Sequence, residues 1–368
     1  MVNRTWPWVL GSVAVVVLAV MVFVVSLLST PNTNTDVTLD NNGTTPGNTT
    51  GTDTGTSTGT TTPKTKQPFV ITTMTHMESA FTDDVNERAF TKHVADMRWA
   101  MDLFDEYGAK LTFESEQSFA KANTNWGLNI LKEVVNRGHG VGTHADFGAG
   151  SGNKLTLDQL TADFVANKTL VDNLVGASNN QGVSGGTGPT DWVLAAAAAG
   201  FKYMDAVTGF GYLSMPVNAR PADWTNSYIL STGYHDSIPP NLEDRIYPLP
   251  LKDAKDLKPD TDPAITVMSG DLGELSSLAE GRSNCFPNCN FDQADVDVVV
   301  KDIDEIIANR DQSRFAKVNF HIPMDLLVKS KETELRALLS AIKKYTDAGT
   351  LSWDTQLGAY KQYESSLK

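Results

Sequence analysis

The chain has 368 residues, with 30 Lys and Arg against 44 Asp and Glu, giving a formal net charge of −14. Such an acidic chain lacks the basic footprint that nucleic acids and anionic membrane surfaces require, so neutral or cationic glycans fit better as macromolecular partners. Its 2 cysteines are too few to form a metal site by themselves.

In chain order, a short N-terminus (1–7) carrying Arg4 leads into an apolar run from Trp8 to Leu28, broken only by Gly11, Ser12 and Ser26. Roughly 20 such residues cross a bilayer as a helix. A cleaved signal peptide has a shorter apolar stretch, ~7–15 residues, ending in a small-x-small site. Here the run exits through Ser26 to Pro31 without such a site, so 8–28 is expected to be an uncleaved transmembrane anchor. Arg4 is the only charge before it, which places the N-terminus in the cytoplasm and the rest of the chain outside the cell membrane. Residues 29–67 are Thr, Asn, Gly, Asp and Pro with almost nothing apolar, and are expected to be a disordered linker, because little burial is available to offset the entropy of ordering. Asn42-Gly43-Thr44 and Asn48-Thr49-Thr50 read either as glycosylation acceptors or as part of a soluble spacer.

The remaining stretch, 68–368, is expected to form one large domain, since α/β barrels exceed the ordinary domain size. Phe69 to Thr75 reads as a first strand. Phe90, Val94, Met97, Met101 and Phe104 then recur at helical spacing up to Gly108, and Lys110 to Phe113 reads as a second strand. Trp126, Ile130 and Val134 mark a helix closed by Gly138, and Gly140 to Thr143 a third strand. Thr156-Leu157-Asp158-Gln159 is a capping box opening a helix towards Val175. Trp192 to Ala199 reads as a helix and Phe201 to Ala206 as a strand. The pattern lapses from Val207 to Pro263 and resumes with a strand at Ala264 to Met268, a helix at Val296 to Ile307, a strand at Lys317 to His321, a helix at Leu335 to Tyr345, a strand at Leu351 to Trp353 and a last helix. Strands alternating with helices imply a parallel sheet with right-handed crossovers. Seven or eight units, with no Gly-rich phosphate fingerprint after the first strand, favour a closed barrel over an open doubly wound sheet.

Three strand ends carry the chemistry: Thr75-His76-Met77-Glu78, Gly142-Thr143-His144-Ala145-Asp146 and Asn319-Phe320-His321-Ile322-Pro323. Parallel barrel strands deliver their C-terminal ends to one face. In a strand, residues i and i+2 share a face, so His76 and Glu78 are expected to point into the mouth together, with His144 joining from the third strand. Two imidazoles and a carboxylate make an ordinary three-ligand catalytic zinc set. Cys285 and Cys289, five residues inclusive in an exported chain, are expected to form a local disulfide. His93, His139 and His235 read as structural.

At these residues the chain resembles the polysaccharide deacetylases, the NodB-homology or family 4 carbohydrate esterases, over most of 69–363. Gly108-Ala109-Lys110-Leu111-Thr112-Phe113 is similar to the family's G-x-x-A-T-F-F second strand, and Gly138-His139-Gly140-Val141-Gly142-Thr143-His144 to its G-H-E-I-G-N-H approach to the third. Phe320-His321-Ile322-Pro323 falls where the family has its late histidine, and Gly349 to Trp353 resembles its final strand. Departures are equally visible. Thr75-His76-Met77-Glu78 replaces T-F-D-D-G, so Glu78 takes the ligand position while Met77 cannot act as a base. Gly148 stands in place of the second histidine of H-(S/T)-x-x-H, and the R-x-P-x-G motif has no counterpart, Val183-Ser184-Gly185-Gly186 being the nearest segment.

The resemblance implies a deformed (β/α)7 barrel of the glycoside hydrolase/deacetylase type and metal-dependent N-deacetylation of an extracellular amino-sugar polymer. In that scheme Glu78, His144 and His76 would hold a divalent metal, Zn²⁺ by its donor set. Asp146 or Glu114 would take the proton from water, with Glu116 and His76 also near the vacant positions, and His321 would protonate the leaving amine. Two alternatives stay open: a glycoside hydrolase using Glu78 with Asp146 or Glu114, and a non-catalytic surface protein that binds a glycan.

Overall fold

The structure, a computed structural model, describes residues 66–145, 155–185, 190–205, 212–213, 215–232 and 241–368. These belong to one compact unit, Thr62–Lys368. The expected span 8–28, the linker up to 65, Asp146, Gly148 and His235 lie outside the described residues. No helix among the described residues is long and apolar enough to cross a membrane.

Ten strands form the sheet: β1 (Phe69–His76), β2 (Thr112–Ser115), β3 (Gly140–His144), β4 (Gly182–Ser184), β5 (Tyr203–Met204), β6 (Leu249–Leu251), β7 (Ile265–Val267), β8 (Asp271–Glu274), β9 (Ala316–His321) and β10 (Ser352–Trp353). Their order is β6-β7-β5-β4-β3-β2-β1-β9-β8, with β10 pairing on β1. Every pairing is parallel except β6 with β7. One stretch, Ile265 to Glu274, joins the two ends of the parallel path, its first half pairing with β5 and its second with β9. This is the barrel-type α/β architecture that the alternation of strand and helix predicts.

The expected strands fall within a few residues of their predicted places. β4, β6 and β8 are additions, three or four residues each, too short and too rich in Gly, Pro or acid to show a strand pattern. The single helix expected around Trp126 to Val134 is two helices, α2 (Gln117–Asn125) and α3 (Ile130–Asn136), following α1 (Glu87–Glu106). Gly127 between them has φ +67, a left-handed conformation that ends a helix, and Asn123 Oδ1 accepts from the Ile130 amide to start the next. The Thr156 capping box forms as expected, opening α4 (Leu157–Val175).

Alternation along β1 and β9 sorts two environments. Phe69, Ile71, Val318 and Phe320 face the helices in the main apolar cluster, whereas Val70 packs inside the barrel with Tyr203 and Met268. Above that floor the interior turns polar. Lys317, Asn319 and Gln356, all essentially inaccessible, bond to one another: Lys317 Nζ donates to Gln356 Oε1 at 2.6 Å and Gln356 Nε2 to Asn319 Oδ1 at 2.7 Å. Gln356 is the first residue of the last helix (Gln356–Ser366), so that helix plugs the barrel with a hydrogen-bonding side chain.

Candidate metal centre

The three proposed ligands meet at the mouth. One donor atom each from His76, Glu78 and His144 lies within 4.8 Å of the others. The route differs from the expectation for Glu78, because β1 ends at His76 and Glu78 opens a 3₁₀ turn, Glu78–Ala80. Met77, fully buried, anchors that turn, its amide bonded to the Glu114 carbonyl at 3.0 Å. Glu78 therefore approaches His144 from a turn above the strand and not along the strand face.

His144 is held at both nitrogens. Nδ1 is 2.8 Å from Ser184 Oγ at the end of β4, and Nε2 is 3.3 Å from Glu78 Oε1. Its rear is fixed by Asn167 of α4, whose Nδ2 donates to the His144 carbonyl at 2.7 Å. The His76 ring stacks on that of His144 with centroids 4.0 Å apart, and His321 lies 4.4 Å from His76, so the ends of β1, β3 and β9 converge as the barrel argument requires. The hydrogen bond with His144 holds the Glu78 carboxyl far below the usual carboxylate range, outweighing its partial burial, with the other imidazoles contributing.

His321 is partly buried, and burial pushes its pKa well below the ordinary histidine value, with His76 adding to the effect. Its Nδ1 faces Glu274 Oε2 at 3.9 Å, and Glu274 pairs in turn with Arg282. Arg282 opens the short helical turn Arg282–Cys285, whose last residue is held in the Cys285–Cys289 disulfide, formed as expected. Glu116 caps α2 and lies 3.8 Å from His144 Nε2. Glu114 is placed differently: it has no solvent exposure and sits below His76, Oε2 to Nε2 3.1 Å. Asp146 lies outside the described residues.

The sequence reading missed Ser184, Asp205, Glu274 and Arg282. Asp205, directly after β5, is fully buried beside Glu114, and burial together with that second carboxyl raises its pKa well above the carboxylate range. Burial lowers the nearby Lys317 to about 8, against the pull of Asp205, Asp271 and Glu114. Ser184, Asp205, Glu274 and Arg282 sit in or just after strands of two to four residues, or in a single helical turn, which are too short to show a periodicity that would assign them to the interior.

Two imidazoles and a carboxylate fit a divalent metal of the zinc class, and the Ser184 contact supplies the outer support that a ligand histidine normally has.

No family model matches the sequence, and no curated protein matches it. Among solved structures, a candidate polysaccharide deacetylase from Mycobacterium smegmatis matches with a TM-score of 0.52 at 10% identity, over 82% of this chain and 92% of that one. Lower TM-scores are found for the Puue allantoinase (0.49, 11% identity, 81% of this chain and 90% of that one). A 4-alpha-glucanotransferase from Thermococcus litoralis scores 0.46 at 14% identity, over 82% of this chain and 40% of that enzyme. The likeness to the Mycobacterium smegmatis structure is one of fold: the chain is an α/β barrel similar to that one.

Proposed function

We propose that this chain is a metal-dependent hydrolase that removes N-acetyl groups from an extracellular amino-sugar polymer, built on a deformed (β/α)7 barrel. The observation that carries the reading is the convergence of His76, Glu78 and His144 within 4.8 Å at the strand ends. Those three residues would hold the metal, Zn²⁺ by donor type, which when bound supplies Lewis-acid polarisation of the acetyl carbonyl and acidification of water.

The protein's own groups then have separate tasks. Glu114 lies below the mouth, so proton acceptance from the attacking water falls to a group that borders it. His321 is such a group, and burial keeps its imidazole neutral and ready to accept. Having gained that proton, it can deliver it to the nitrogen of the departing amine, so one side chain serves both halves of the reaction. Ser184 and Asn167 keep His144 in place while this happens. Trp8 to Leu28 is proposed as the anchor that keeps the domain outside the cell membrane, where the disulfide is compatible with the redox conditions.

The test is metal content of the full-length protein together with acetate release from acetylated amino-sugar oligomers. Stoichiometric zinc with acetate release is expected. A protein that stays metal-free after zinc loading, or that carries zinc and releases no acetate, would refute the reading.

A further inference from the structure

Phenylalanine is a core residue in this barrel with two exceptions, and both stand on turns that begin at the mouth. Among the described residues every phenylalanine is buried except Phe81 and Phe286, which are 59% and 64% exposed. Phe81 caps the C-terminal end of the 3₁₀ turn that Glu78 opens after β1. Phe286 holds the same place on the turn Arg282–Cys285, whose first residue pairs with Glu274 of β8, the carboxylate facing His321. In the sheet β1 and β8 lie on either side of β9, so the two turns leave the rim from strands flanking His321. A single exposed apolar side chain is ordinary. Two rings of one kind, both tied to the fold, are a pattern. Asp83 Oδ2 lies 2.8 Å from His93 Nδ1 of α1, the Asp83 carbonyl accepts from Trp126 Nε1 at 2.7 Å and the Asp84 carbonyl from Asn125 Nδ2 of α2 at 2.9 Å, which pins the segment carrying Phe81. Phe286 is held by the Cys285–Cys289 disulfide, by its amide donating to the Arg282 carbonyl at 3.0 Å, and by the Arg282 guanidinium 4.9 Å from its ring centre.

We propose that Phe81 and Phe286 are substrate-binding residues: they seat the pyranose rings beside the acetylated sugar that enters the mouth, which makes the preferred substrate an oligomer or polymer and not the single amino sugar. The inference rests on the deacetylase reading above and narrows its substrate class. Each ring lies one turn beyond a residue of the mouth, outside the space for the reacting acetyl group, so what it meets is a neighbouring sugar. The chemistry of the two surfaces matches. A pyranose carries C–H bonds on its faces and hydroxyls at its edge, and the partly negative face of a benzene ring attracts those C–H groups while the hydroxyls stay in water. The Arg282 guanidinium covers part of the Phe286 ring and leaves the rest open. Rings fixed before binding lose little freedom when a ligand arrives, which favours affinity.

The test uses the full-length protein and one N-acetylated amino sugar as monomer and as pentamer. Pentamer affinity, measured by calorimetry in the slow His321→Ala variant, is expected to exceed monomer affinity. It should fall about fivefold or more on adding Phe81→Ala or Phe286→Ala, the loss usual for an anchoring aromatic, and return with Tyr at either position. With His321 intact, the same Ala substitutions should lower the ratio of kcat/KM for pentamer over monomer by a similar factor. Leu367→Ala removes a side chain that is 64% exposed just past the last helix, and as a control for lost apolar surface it is expected to change neither quantity. Pentamer affinity within twofold of the parent in both Phe variants, an equal loss in Leu367→Ala, or a pentamer bound no more tightly than the monomer would overturn the proposal. Pentamer binding that depends on both rings in a protein that releases no acetate would instead refute the deacetylase reading and leave the two platforms standing.

Discussion

The sheet has two unlike halves. From β9 through β1 to β3 most ladders are longer: β1 pairs with β9 over six residue pairs, Phe69↔Ala316 to Met74↔His321, and β2 with β3 over four, with two between β1 and β2. From β4 through β5 to β7 each pairing has two, and β6 attaches antiparallel at the edge. The difference is local chemistry. Apolar and β-branched runs such as Phe69-Val70-Ile71-Thr72-Thr73 suit a pleated ribbon buried on both faces. In the short half Gly182 faces the Tyr203 ring so closely that an added Cβ would meet Cε2 at 2.3 Å, and aromatic bulk fills space that strands fill elsewhere. All three proposed ligands and His321 come from or just beyond strands of the regular half. A ladder with several paired residues fixes a side chain far better than a two-residue bridge, which is where a metal centre has to be built.

The sharpest test of that comparison is at the mouth. His144→Ala is expected to lose zinc by more than the roughly 100-fold typical of a lost outer partner, while His321→Ala keeps the metal and lowers turnover by ~10²–10⁴. Metal analysis and rates on the two variants together check this; stoichiometric zinc in His144→Ala would contradict it. Both variants should melt near wild type, because the ladder beneath the site does not depend on either ring.

Packing comes next in size. Phe320 of β9 and Phe201 before β5 are both buried to about the same degree, 0% and 1% exposed. Truncating Phe320 to Ala should cost about 3–5 kcal/mol, and Phe201→Ala less than that, because short strands relax into a cavity more readily. Urea unfolding of both variants measures the gap, and equal losses would dissolve the distinction between the halves.

A pH effect should follow from His139, in the turn entering β3. Its Nδ1 accepts from the Leu111 amide at 3.1 Å, and burial lowers its pKa to about 4 from the ordinary 6.5. As pH falls below 6.5 the unfolded chain takes up this proton first, so the stability present above pH 6.5 is lost progressively towards pH 4. The loss is on the order of 3 kcal/mol for this group. Denaturant unfolding from pH 7 to 4 in wild type and His139→Gln should show a shallower slope in the variant. The smallest effect is expected from replacing both Cys285 and Cys289 with Ser, which opens a short loop and should lie towards the low end of the ~0–5 kcal/mol range; a thermal melt of the double variant measures it.

Much of the regular half is legible from residues alone. The apolar, β-branched run of Phe69 to Thr75 and the 3.6 period through α1 place those elements, and His76, His144 and His321 at strand ends announce the mouth, because local pattern reports how an element is buried. The carboxylates escape that logic. Glu78 looks like a strand residue and belongs to a turn. Glu114 looks like a candidate base and is enclosed under His76, while Asp205 follows a strand of two residues with no period at all. Their placement depends on which neighbour lies across the barrel and on how much room it leaves, as Gly142, where a Cβ would stand 3.1 Å from Glu114 Cγ, does for Glu114. Sequence by itself determined the order of elements and which residues carry chemistry, since propensity and periodicity act over a few neighbours. Only the tertiary structure decided which carboxylate faces the mouth and which lies below it, since that depends on contacts between strands far apart in the chain.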